Sequence, residues 1–249
     1  MSRRRTHRER TGASDHQHPF TTTGASHVSA VQLPFDDRTE AGRLLAQALH
    51  GYRGRDDLLV LALPRGGVPV AAEVAADLNA PLDLMLVRKL GVPGQPELAM
   101  GAIATGGVQV LNPDIVSALG ISDQTIDRIA AAEGRELERR AHAYRGERPP
   151  PRIQGSCVIL IDDGLATGAT MRAAVSATRT QRPSTLAVAV PVASTDALDL
   201  LEPTVDDLIC LAAPEPFFGV GRWYAAFPQT SDDEVRALLA DARARAGVG

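Results

Sequence analysis

Two adjacent aspartates, Asp162 and Asp163, follow the apolar run Val158-Ile159-Leu160-Ile161 and precede Gly164-Leu165-Ala166-Thr167-Gly168-Ala169-Thr170. Four apolar residues in a row suit a strand buried on both faces of a parallel sheet. Ligands of such sheets bind beyond the carboxyl ends of the strands, which is where the two acids fall. Ionised carboxylates accept hydroxyl hydrogen bonds strongly, so a neighbouring pair suits the vicinal hydroxyls of a sugar. Small residues at Gly164, Ala166, Gly168 and Ala169 let the backbone turn tightly and close on an anion, and Thr167 and Thr170 add hydroxyl donors. A helix starting there presents unpaired N–H groups and the positive end of its dipole to a phosphate. Ribose phosphate satisfies both halves of this pattern. A plain Asp-Gly turn between strand and helix would account for neither the second acid nor the two spaced threonines.

Three further segments carry groups of matching chemistry. Pro64-Arg65-Gly66-Gly67-Val68-Pro69 follows another apolar run; its glycines permit an unusual backbone and Arg65 offers a forked donor to oxyanions. Arg88 and Lys89 end the run Met85-Leu86-Val87, where two cations can stabilise developing negative charge. Gly91-Val92-Pro93-Gly94-Gln95-Pro96-Glu97 is too rich in Gly and Pro for a helix or central strand and suits a lid that excludes water. Glu97 is a candidate general acid/base within it, although a solvated loop glutamate is the commoner case. In a chain with 4% aromatic residues, Phe217, Phe218, Trp223 and Tyr224 cluster near the end; they are candidates to stack on a flat acceptor or to cover the sheet edge.

The stretch 158–170, an apolar strand followed by two acids, a short spacer and Thr-Gly-x-Thr, resembles the phosphoribosylpyrophosphate-binding motif of type I phosphoribosyltransferases. That resemblance implies a parallel β-sheet flanked by helices, with Asp162 and Asp163 on the ribose hydroxyls and Ala166, Thr167, Gly168, Ala169 and Thr170 around the 5-phosphate. Arg65, Gly66 and Gly67 look like the family's pyrophosphate loop, with a strained or cis peptide between Arg65 and Gly66. Arg88, Lys89 and the segment after them resemble the catalytic loop of the adenine enzymes. Ala166 stands where the hypoxanthine-guanine enzymes carry an aspartate, so no acid/base role passes to that position. The implied reaction moves ribose 5-phosphate from 5-phosphoribosyl-1-pyrophosphate (PRPP) to a nitrogenous acceptor, of which a purine is one candidate and the sequence names none. Magnesium is carried by the substrate, with Asp162 or Asp163 reaching it through water and no direct protein ligand. A homodimer or higher homo-oligomer is also implied.

These groups need elements to hold them. Apolar runs at 58–63, 82–87, 158–161, 186–190 and 208–211 alternate with amphipathic segments at 68–78, 170–180 and 196–201, the pattern of βα units. Residues 102–111, broken by Gly106-Gly107, predict a hairpin. Residues 122–144 predict a long helix with Ile126, Ile129, Leu137 and Ala141 on one face, ended before Pro149-Pro150-Pro151. A first helix starts near Asp36 or Asp37, where Asp37-Arg38-Thr39-Glu40 has capping-box spacing. Residues 1–32 are polar and basic without periodicity and predict a flexible tail. One phosphoribosyltransferase domain then spans 33–249, with a helical insertion at about 113–147 and a small hood at about 213–230.

Composition narrows the alternatives. The chain has 249 residues and a formal net charge of -4, which gives no general attraction to nucleic acid, and the run Arg3, Arg4, Arg5, Arg8 and Arg10 is local. Cys157 and Cys210 lie in apolar runs, which suits a reducing cytoplasm and neither a disulfide framework nor a metal cluster. No apolar stretch approaches the roughly 20 residues of a membrane-spanning helix, and no secretory h-region follows the basic start. Two other functions fit the same motif: a non-catalytic regulator sensing PRPP, and an enzyme that uses water or phosphate as acceptor.

Overall fold

In the computed structural model, which describes residues 31–245 and residue 247, the first helix α1 (Arg38–Ala48) leads to β1 (Leu58–Ala62), α2 (Gly67–Leu78) and β2 (Leu82–Leu84). Three strands follow, β3 (Val87–Val92), β4 (Gln95–Ala104) and β5 (Val108–Leu111), and then two helices, α3 (Pro113–Ala118) and α4 (Asp123–Arg145). The chain continues through β6 (Cys157–Ile161), α5 (Ala169–Thr180), β7 (Thr185–Val192), α6 (Thr195–Leu201), β8 (Asp207–Ala212) and α7 (Asp232–Arg245). Of the predicted tail, Val31 and Gln32 are described; the rest lies outside the described residues.

Five strands form a parallel sheet in the order β2-β1-β6-β7-β8. Side chains of a strand alternate between faces, and here the two faces feed two different cores. Leu58, Val60 and Ala62 of β1 and Cys157, Ile159 and Ile161 of β6 pack with α2, α4 and α7 through Val70, Val74, Leu137 and Leu239. Leu59 and Leu61, with Val158 and Leu160, pack with α5 and α6 through Met171, Val175 and Leu201. Burial on both faces explains why β6 reads as an unbroken apolar run rather than an alternating one.

From β1 the chain crosses to β2 on one side, and from β6 it crosses through α5 to β7 on the other. Strand order therefore reverses between β1 and β6, and the loops that follow these two strands lie at the switch point where α/β sheets bind ligands. The two loops singled out in the sequence are these loops.

Strands β3, β4 and β5 form a separate antiparallel sheet, which corrects two expectations. The run 82–87 is not one strand: β2 ends at Leu84, Met85 N–H still donates to Ala62 O at 2.9 Å, and Val87 starts the second sheet. Arg88 and Lys89 thus sit inside a hairpin strand, opposite Ile103 and Ala102, and not at the end of a central strand. Residues 91–97, expected to be irregular, are the hairpin tip, where Val92 pairs with Gln95 around Pro93-Gly94. Register shifts on either side of Gly91 and a positive φ of 77° at Gly94 accommodate the Gly/Pro content within paired strands. The Gly106-Gly107 turn falls where predicted, with φ of 85° and 74° suiting the tight turn between β4 and β5. Helix α1 is capped by Asp37, whose carboxylate accepts from Glu40 N–H at 2.9 Å; Glu40 in return accepts from Asp36 N–H, one residue before the N-cap.

Candidate active site

The acidic pair closes β6, and burial governs its electrostatics. Asp163 accepts from Arg38 Nε at 2.8 Å, a pair with side chains 14% and 10% exposed. Arg38 also donates to Pro228 O at 2.7 Å and lies 3.8 Å from the ring centre of Phe227. Burial pushes the Asp162 carboxyl well above the usual carboxylate range, and the neighbouring charge of Asp163 pushes it further. Burial also raises Asp163, but the Arg38 guanidinium opposes it. Asp162 therefore holds the proton of the pair more readily, and Asp163 is the carboxylate fixed in place.

Beyond the pair, Gly164 lets the chain pass beneath the segment after β8: a Cβ there would come within 2.6 Å of Val220 Cγ1. Leu165 N–H donates to Val192 O, and Ser194 Oγ donates to Ala166 O at 2.6 Å, so the phosphate-type loop is pinned to the end of β7. Gly168 takes φ +67° as the residue before α5. The Thr167 hydroxyl accepts from Ala169 N–H, while the N–H groups of Thr170 and Met171 have no acceptor within the helix they begin. Thr167, Ala169 and Thr170 are exposed around this turn.

The second loop, after β1, touches the first. A Cβ on Gly66 would lie 2.0 Å from Asp163 Oδ2, and one on Gly67 would lie 2.6 Å from Ile161 O. Gly66 has φ -60° and ψ -34°, ordinary for any residue, so glycine is required there for space and not for conformation. The cis peptide expected between Arg65 and Gly66 lies one bond earlier, between Pro64 and Arg65. The Arg65 guanidinium stands 3.7 Å from Asp232 at the start of α7.

The remaining candidates scatter more widely. Arg88 is held by Glu133 of α4 through contacts of 2.6 and 2.7 Å, and Lys89 is exposed on β3. The backbone of Glu97 belongs to β4; its side chain lies outside the described residues. Phe217 and Phe218 wall a cleft of about 700 Å³ that also reaches Ala166, Thr167, Asp196 and Glu215. Trp223 and Tyr224 are not in that wall. Tyr224 is 5% exposed and donates its hydroxyl to Asp163 O at 2.6 Å, while Phe35 and Phe227 pack around its ring. It holds the backbone of Asp163, and burial raises its phenol pKa. Trp223 packs on Phe217, with its indole N–H buried and without an acceptor among the described residues.

Sequence reasoning missed Arg38. It is the first residue of a helix 125 positions from its partner, and nothing local distinguishes it from a solvated helical arginine. Among the described residues no group of three or more His, Cys, Asp or Glu side chains is placed to hold a metal ion. The two aspartates nevertheless offer oxygen donors of the kind magnesium takes when phosphates and water supply the rest of its shell.

A parallel sheet with an acidic pair and a loop of small residues beyond one central strand, and a glycine loop beyond its neighbour, defines the type I phosphoribosyltransferase fold. The chain belongs to the family described as the phosphoribosyl transferase domain, whose pattern it matches over residues 37–211. It is 47% identical over 205 residues to "Putative phosphoribosyl transferase Rv0571c" of Mycobacterium tuberculosis strain H37Rv, and equally to the corresponding MT0597 of strain CDC 1551. The match takes in 82% of this chain and 46% of each relative, so the chain spans about half their length. Among solved structures, TT1426 from Thermus thermophilus is 43% identical, with a TM-score of 0.76 over 84% of this chain and 99% of that one.

Proposed function

We propose that the protein binds PRPP across the two loops and transfers its ribose 5-phosphate to a nitrogenous heterocycle, releasing pyrophosphate. The observation that carries this reading is the contact between the loops. Gly66 and Gly67 are bare where Asp163 and Ile161 approach, so a molecule with a sugar between two phosphate groups can touch both loops at once. In this reading Ala166 to Thr170 cradle the 5-phosphate with backbone N–H groups and hydroxyls. Asp162 and Asp163 accept from the ribose hydroxyls, and Arg65, Gly66 and Gly67 hold the pyrophosphate. Arg88 and Lys89, on a hairpin of the second sheet, act on the leaving group as its charge develops.

Magnesium carried in with the substrate would neutralise charge there, with Asp162 and Asp163 the residues that would hold its water shell. The protein's own contribution is positioning. Arg38 and Tyr224 fix Asp163, Asp163 orients the sugar, and the hairpin tip excludes water from the anomeric carbon. The acceptor belongs in the cleft walled by Phe217 and Phe218, where a flat ring can stack beside Ala166. Ala166 offers no acid to a ring nitrogen, in keeping with a purine of the adenine kind.

The test is pyrophosphate release from PRPP across a panel of purines, pyrimidines and other nitrogenous acceptors, with water and inorganic phosphate as controls. Release that depends on a nitrogenous acceptor supports the reading. Release without one moves the protein to hydrolysis or phosphorolysis of the same sugar phosphate, and binding without release moves it to a PRPP sensor.

A further inference from the structure

Three arginines from three different elements converge beside the glycine loop that follows β1. Arg65 belongs to that loop, Arg88 to β3 and Arg140 to α4. Arg88 and Arg140 wall one crevice together with Pro64, the residue before Arg65, and Thr170 of the phosphate-type loop. Each guanidinium faces a carboxylate: Arg65 faces Asp232 at 3.7 Å, Arg88 faces Glu133 at 2.6 Å and Arg140 faces Glu136 at 2.9 Å. Asp232 also accepts from the Tyr144 hydroxyl at 2.6 Å. That hydrogen bond holds the Asp232 carboxyl below the usual carboxylate range, and the charges of Arg65, Arg236 and Arg140 add to it.

We propose that Arg140 of α4 is a pyrophosphate-binding residue, completing with Arg65 and Arg88 a cradle of three guanidinium groups in which Asp232, Glu133 and Glu136 occupy the anion's place when no ligand is bound. The proposal rests on the PRPP reading given above. Guanidinium forks match phosphate oxygens geometrically, and three of them suit an anion that carries several charges over two phosphorus centres. The partners are free to exchange. Glu133, Glu136 and Asp232 are 28%, 31% and 55% exposed, and ion pairs this accessible to water contribute little to stability. Glu136 is held independently by Arg139 at 2.8 Å, so Arg140 can leave without stranding a charge. Buried Leu137 anchors this part of α4 to the core, and Glu133 and Arg140, seven residues apart, recur on the same side of the helix. A solvated i,i+4 pair between Glu136 and Arg140 is the competing explanation, and it requires no effect on ligand affinity.

The experiment is calorimetric titration of the full chain with magnesium pyrophosphate, with PRPP and with ribose 5-phosphate, at fixed ionic strength. Wild type, Arg140→Ala and Arg140→Lys are compared, with Arg128→Ala, an exposed arginine more than three turns away on the same helix, as a charge control. Arg140→Ala is expected to weaken pyrophosphate and PRPP roughly tenfold or more and to leave ribose 5-phosphate unchanged. Arg140→Lys, which keeps the charge and loses the fork, falls between. Arg140 is half-exposed, so the thermal midpoint should not move. Unchanged pyrophosphate and PRPP affinity in Arg140→Ala, beside a wild type that binds both, overturns the assignment alone. An equal loss in Arg128→Ala overturns it by reducing the effect to helix charge. A wild type that binds neither ligand overturns the underlying reading of the site, and this assignment with it.

Discussion

Asp162 and Asp163 are neighbours in sequence but differ in their surroundings. Arg38 holds Asp163 within a buried pair, and removing one member of such a pair leaves the other charge uncompensated. Arg38→Ala should therefore cost about 3 kcal/mol in urea denaturation and weaken PRPP binding, while Arg38→Lys recovers part of both. Asp162 has the opposite problem, a carboxyl raised by burial and by its neighbour's charge. The folded protein holds a proton there that the unfolded chain gives up. The stabilisation this brings is complete below the ordinary carboxylate range and is lost as pH rises through the raised value. Asp162→Asn keeps the neutral form at every pH, so it should raise the unfolding midpoint at pH 8 and change it little at pH 4. An equal effect at both would refute the assignment of the proton. The acids, the glycines and the threonines were legible because each type is unusual at its spacing. Arg38 and the role of Tyr224 as a support for Asp163 were not, because what distinguishes them is a partner far along the chain.

The elements were legible where one periodicity governs them. β6, α5 and the Gly106-Gly107 hairpin follow from an unbroken apolar run, an amphipathic stripe and two residues free to take positive φ. The hairpin tip at 91–97 misled because proline and glycine argue against a strand in a sheet's interior and much less so at an edge interrupted by register shifts. The break after Leu84 was hidden because Met85 and Leu86, which link the two sheets, are as apolar and buried as Leu84 itself. Helix α4 supplies Glu133 to Arg88, and its start depends on Ser122, whose side chain accepts from Thr125 N–H. Ser122→Ala should cost about 1 kcal/mol, read in chemical denaturation. An equal cost from Ser117→Ala, at an exposed position within α3, would show that the cap is not the cause.

For the molecule as a whole, the decisive feature is the reversal of strand order between β1 and β6, which puts a glycine loop from one half of the sheet against an acidic pair from the other. The centre of the sheet carries this arrangement. Leu160→Ala, at a fully buried position of β6, should cost roughly 2–5 kcal/mol without changing any group at the site. Gly66→Ala should do the reverse. Its methyl meets Asp163 Oδ2, so it should displace the carboxylate and lose binding at a modest cost in stability. The measurement that tests the central claim most directly is calorimetric titration of the wild-type chain and of Asp163→Asn with PRPP and magnesium. Saturable one-site binding by the wild type, weakened at least tenfold in the folded variant, is the result expected of a sugar held by that carboxylate. No binding by the wild type, or equal binding by both, would contradict the account.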